Sequence, residues 1–154
     1  MDAPRWLEQD ERRAWLAFAA AGPLLDRRLD QQLRRDAGVS HLQYLILARL
    51  SAAPDGALRM TELADSLANT KSGLTYQIEQ LEKAGLVCRR TCAHDTRGVL
   101  AVLTDAGRSR LEEAAPGHVA AVRELFVDVL TPAQLAAIAD GLSEITRRLG
   151  VPPQ

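Results

Sequence analysis

With 154 residues, 47% of them hydrophobic and 25% charged, the chain can build one good core, or a modest core plus an oligomer interface. Its formal net charge of -1 excludes a generally basic surface, so any contact with phosphates must come from local placement of Arg and Lys. The apolar run at residues 14 to 25 is shorter than the roughly 20 residues of a bilayer span. Glu8, Asp10 and Glu11 before it and Gly22-Pro23 within it argue against a secretion signal, so a soluble cytoplasmic protein without a membrane partner is expected.

Trp15, Phe18, Gly22, Leu25, Leu29 and Leu33 recur at three- and four-residue steps, predicting a first helix over about residues 6 to 36. Pro23 lies in that stripe and should kink or split it. Ser40 and Gln43 form a capping box for a second helix at about 41 to 52, which ends before the turn Pro54-Asp55-Gly56. Thr61 can cap a short third helix through Leu67, and Asn69 or Thr70 a fourth that stops at Gly85. Two short helices joined by a tight turn predict a helix-turn-helix.

Residues 86–92 and 98–103 read as two strands around a five-residue loop, a hairpin. Thr104 opens a further helix with a break expected near Pro116-Gly117, and Thr131-Pro132-Ala133-Gln134 starts the last one, which runs to about Leu149. Val119, Val122, Phe126 and Val129, and then Leu135, Ile138, Leu142, Ile145 and Leu149, form apolar seams suited to helix-on-helix packing and a homodimer. The expected fold is mainly α with a small β-hairpin wing (α+β), a winged helix-turn-helix in a homodimer. Residues 39–103 would form the winged domain, and 1–38 and 104–154 the dimerisation helices.

On the fourth helix Leu74, Ile78 and Leu81 share one narrow arc that must face the core. Opposite them stand Ser72, Tyr76, Glu79 and Lys83, with Gly73, Thr75 and Gln80 alongside. Small hydrogen-bonding residues at the N-terminal end of a helix let its backbone approach base edges in a major groove, and the helix N-terminus itself favours phosphate. The hairpin adds a wing, where Arg97 can reach a minor groove, Arg90 the backbone, and Asp95 can pair with Arg89 to shape the loop.

These residues resemble the MarR family of winged-helix transcriptional regulators. The likeness is carried in order by Leu63-Ala64, Ser72-Gly73-Leu74-Thr75, Leu81-Glu82, Gly85-Leu86-Val87 with Arg89, Asp95-x-Arg97, and Leu103-Thr104-x-x-Gly107. It implies a domain-interlocked homodimer, joined through its terminal helices, whose winged DNA-binding domains, residues 39–103, read the halves of a palindromic double-stranded DNA operator, and repression relieved by a small ligand or an oxidant. It also implies Asp95 and Arg97 as the wing pair and Ser72, Thr75, Tyr76 and Gln77 on the reading helix; Lys71 and Gly73 complete the expected contact set. Tyr76 stands where many members carry Arg, so the family's base preference does not transfer.

The resemblance also implies that a small-molecule effector would sit between the dimerisation helices and the winged domain, and Trp15, Phe18, His41 and Tyr44 fall on segments that would line that crevice, with the aromatic walls and polar tips of a small-molecule pocket. Cys88 and Cys92, about 13 Å apart on a strand at about 3.3 Å per residue, are too distant for a disulfide, and their oxidation is the alternative trigger. No cofactor is expected. Cys88, Cys92 and His94 fall short of four zinc ligands, so no metal is expected, and no catalytic motif is present, so no enzyme is expected. A winged-helix protein–protein adaptor is the alternative function, disfavoured by the wing arginines.

Overall fold

The computed structural model describes residues 4–92 and 95–150, with the backbone alone for residues 92 and 95–97. Helix α1 (Gln9–Ala37) leads to α2 (His41–Ala52), a short strand β1 (Ala57–Arg59), α3 (Met60–Ser66) and α4 (Lys71–Lys83). Strands β2 (Val87–Cys92) and β3 (Asp95–Leu103) form the wing, followed by α5 (Asp105–Val122) and α6 (Pro132–Arg148). The strands form one antiparallel sheet in the order β1-β3-β2. A mainly helical winged helix-turn-helix is therefore what the chain folds into.

Helix starts follow the capping chemistry. Ser40 and Gln43 exchange both bonds of the expected box, each at 3.0 Å. Thr131 and Gln134 do the same at the head of α6. Thr70 caps α4 by accepting from the Gly73 N–H at 3.1 Å, and Gly85, with φ of 75°, ends it. Helix α3 departs from expectation: it begins at Met60, with Arg59 as N-cap and the Glu62 carboxylate accepting the Arg59 N–H at 3.2 Å, so Thr61 lies inside the first turn. The turn into α4 holds Ala68 at φ of 49°, the left-handed region that costs a residue with a Cβ.

Neither internal proline breaks its helix. Pro23 and Pro116 both sit on exposed faces of continuous helices, where water can satisfy the carbonyl left without a donor. The irregularity comes later, at residues 123–127, where the Asp128 N–H bonds to the Arg123 carbonyl at 2.8 Å in a π turn. Strand β1 escaped the sequence pattern because three residues are too few to show a period; it pairs Ala57 with Val102 and Arg59 with Leu100. The hairpin loop is also shorter than expected, since β3 starts at Asp95.

One core serves the winged unit. Leu47, Leu50, Leu63, Leu74, Ile78, Leu81, Val87 and Ala101 are all at most 1% exposed, and Leu33 from α1 and Ala114 from α5 join them. This anchors both long helices to the unit they flank. The junction of α4, β2 and α5 is the tightest point. The Thr104 hydroxyl donates to the Gly85 carbonyl at 2.7 Å and accepts from the Gly107 N–H at 3.0 Å, while the Thr104 N–H bonds to the Leu86 carbonyl at 3.2 Å. A Cβ on Gly107 would be driven into the Leu86 carbonyl oxygen and lie 2.7 Å from Leu103 Cδ1.

The outer parts of the long helices have no such cover. Helix α6 buries no residue, and Trp6, Trp15, Leu16, Phe18, Leu24, Val119, Val129, Ile145 and Leu149 all remain at least half exposed. Among the described residues no single helix is long and apolar enough to cross a membrane.

Gly107→Ala should therefore destabilise the protein by about 2–4 kcal/mol, because backbone rather than a flexible side chain must yield. Denaturant midpoints of the variant and the parent measure this, and equal midpoints would mean that the junction has slack.

Candidate nucleic-acid interface

Helix α4 presents the face that its sequence requires. Leu74, Ile78 and Leu81 are buried to 1% exposure or less, whereas Lys71 and Ser72 are exposed and Tyr76 is 58% exposed. Gly73 is needed by the cap, since a Cβ there would lie 2.8 Å from Asn69 Oδ1 and 2.9 Å from Thr70 Oγ1. Thr75 differs from its expected role as a free donor. Its hydroxyl gives its proton to the Lys71 carbonyl at 2.8 Å, leaving it a methyl group and acceptor lone pairs for a partner. Gln77 is partly exposed beside Tyr76.

The wing stands next to this face. Strands β2 and β3 pair from Val87–Leu103 to Thr91–Val99, and the register then slips so that Cys92 faces Asp95. Residues 96–98 take up that slack in β3, which places the Arg97 backbone in an irregular stretch beside the turn. The side chains of Cys92, Asp95 and Arg97, and residue His94, lie outside the described residues. Cys88 is a partly buried free thiol. Arg90 is exposed and makes no ion pair with a described residue. Arg89 is held by Glu82 of α4, a partner that the sequence reading did not assign: Nε donates to Oε2 at 3.0 Å and Nη2 lies 2.9 Å from the same oxygen.

Between wing and helix runs a groove of about 410 Å³ lined by Arg59, Thr61, Lys71, Thr75 and Arg89 over a floor of Met60, Leu74 and Val99. Three cationic side chains thus converge on one concave surface of a chain with net charge -1. Arg59 and Thr61 were missed as lining residues because β1, which carries the chain to this rim, has no signal in the sequence.

The four residues expected to line an effector crevice fall into two groups. Trp15 and Phe18 pack on each other, ring centres 6.2 Å apart, on the uncovered half of α1. His41 and Tyr44 lie at the junction of α1, α2 and α5, where His41 meets Asp26 of α1, a residue about 12 Å beyond Phe18 along that helix at 1.5 Å per residue. Tyr44 is only 8% exposed and belongs to the core, where its ring lies 4.3 Å from that of His118. His41 sits 5.5 Å from His118, its Nδ1 is 2.7 Å from Asp26 Oδ1, and its backbone N–H is capped by Asp30 at 2.9 Å. The two histidines are 77 positions apart, so no local pattern in the sequence signals their pairing.

The geometry can be set beside known proteins. A MarR family model matches residues 37–98. The crystal structure of Sco3205, a MarR family transcriptional regulator from Streptomyces coelicolor, in complex with DNA, is 44% identical; the match covers 97% of this chain and 91% of that one at a TM-score of 0.86. The chain belongs to the MarR family. AbsC, a MarR family transcriptional regulator from the same organism, matches at 37% identity and a TM-score of 0.88, over 95% of this chain and 98% of that one. The Bacillus subtilis transcriptional repressor YetL is 37% identical over 94 residues, 59% of this chain and 56% of that protein. This MarR family member is thus a transcriptional regulator.

Burial, and secondarily the charge of His41, hold His118 below the ordinary histidine pKa, and its buried Nδ1 has no hydrogen-bond partner. The unfolded chain therefore takes up this proton first as the pH falls, so the contribution of His118 is fully present above about pH 6.5 and is lost below it. Thermal melts between pH 7.5 and 5.5 should show a fall in stability that His118→Gln flattens; parallel curves for the two proteins would remove His118 as its source.

Proposed function

We propose that the protein is a homodimeric, sequence-specific DNA-binding repressor that reads a palindromic operator with α4 in the major groove and the β2–β3 wing in the minor groove. The observation that carries this reading is the convergence of the open, small-residue end of α4 with the basic groove beside the wing. Lys71, Ser72, Tyr76 and Gln77 would meet bases and phosphates, with Thr75 offering its methyl to a base edge and Gly73 allowing close approach. Arg90 would meet the backbone and Arg97, beside Asp95, the minor groove. The Sco3205–DNA complex supports the partner, and the repressors YetL of Bacillus subtilis and MprA of Escherichia coli, the latter 25% identical over 126 residues, support the sense of regulation.

The uncovered apolar side chains of α1, α5 and α6 support the homodimer, because a monomer seldom leaves so many large apolar residues in water. A small-molecule effector belongs to the same reading. The α1–α2–α5 junction with His41 and Tyr44 is where it would touch both the apolar helices and the reading unit.

The test is fluorescence anisotropy with DNA from upstream of the protein's own gene and a scrambled control, over a salt series. Tight, salt-sensitive preference for the upstream DNA is expected, and binding no better than the control would count against a specific regulator of its own promoter. Arg97→Ala should weaken binding and lower the salt slope by about one. Tyr76→Ala should change the ranking of operator variants more than the affinity for random DNA. Ile145→Asp should shift sedimentation from dimer to monomer and abolish operator binding at concentrations where the parent is saturated; an unshifted dimer would place the interface elsewhere.

A further inference from the structure

Arg89 and Arg90 are neighbours on β2 with opposite circumstances. Arg90 is exposed and makes no ion pair with a described residue, whereas Arg89 places three groups on one carboxylate seven positions earlier, in the last turn of α4. Its backbone N–H reaches Glu82 Oε1 at 3.2 Å, its Nε reaches Oε2 at 3.0 Å, and its Nη2 lies 2.9 Å from Oε2. Strand β2 is an edge of the sheet, so alternate N–H groups point away from β3 and need another acceptor. Glu82 supplies one and binds the guanidinium at the same time, with about a third of each side chain exposed.

We propose that Glu82 is a positioning residue that brackets the wing to the reading helix, and that Arg89 acts through it rather than as a phosphate contact. This rests on the DNA-binding reading above. Were Arg89 to turn to a phosphate, it would leave the Glu82 carboxylate unpaired beside the negatively charged DNA backbone, a like-charge arrangement that costs affinity. The bond from Arg89 also keeps Glu82 below the usual carboxylate range, so the pair persists through neutral pH. The two arginines thereby divide the work, Arg89 fixing the angle between α4 and β2 and Arg90 facing the phosphates.

The experiment compares Glu82→Met, Arg89→Met, their double variant and Arg90→Met by anisotropy against operator and scrambled DNA over a salt series, with folding checked by thermal melts. Bracketing predicts that Glu82→Met and Arg89→Met each lower the operator-to-scrambled ratio about five- to tenfold, that the double variant is no worse than either, and that the salt slope is unchanged. Arg90→Met should instead lower the slope by about one on both DNAs. If Glu82→Met binds as well as or better than the parent while Arg89→Met loses one unit of slope, Arg89 is a phosphate contact and the proposal is overturned. Amide hydrogen exchange without DNA gives an independent readout. Glu82→Met should speed exchange across residues 87–91, and unchanged protection there would overturn the bracket even if no DNA preference is found for the parent.

Discussion

Everything that faces outward in this protein is aimed by a contact that admits no side chain. At Gly107 the first turn of α5 lies so close to the Leu86 carbonyl that a Cβ has nowhere to go, and Thr104 uses both its hydroxyl and its N–H to hold the chain that leaves α4. Helix α4, strand β2 and helix α5 are thereby tied within a few residues of one another. The angle of α4, the plane of the wing and the direction of the long helix cannot be set separately. Close-packed interiors pass on such constraints because they have little compressibility.

Two elements leave that junction toward the groove, and polar contacts keep each in place. Thr70 and Asn69 close the N-terminal end of α4, and Glu82 joins its C-terminal end to the wing. On the other side, Ala114 and Leu33 carry α5 and α1 into the same core. The histidine pair marks where those helices meet α2. The apolar surfaces that the chain leaves open therefore belong to the same rigid arrangement as the groove. A change in how α1 and α5 pack has a short mechanical route to α4.

Much of this was legible in the residues. Helix starts at Ser40, Thr104 and Thr131 depend on bonds within four residues, so local chemistry specifies them. The buried arc of α4 follows from its period alone. What stayed hidden depends on partners far along the chain: β1 exists because β3 lies alongside it, Arg89 turns to Glu82 because the α4–β2 turn folds them together, and His118 meets His41 across 77 positions. The prolines misled for a related reason. Their effect on a helix depends on whether the carbonyl one turn earlier faces water, and exposure belongs to the tertiary structure.

The turn between α3 and α4 carries a last consequence. An alanine at Ala68 occupies a left-handed conformation that glycine would adopt freely. An unfolded or loosened turn with alanine at this position samples fewer alternatives than one with glycine, at the expense of some strain in the folded chain. The N-terminal end of α4 is therefore ordered before any partner arrives. Preorganisation of this kind lowers the entropy lost on docking, so a small residue in a four-residue turn bears on affinity without touching the ligand.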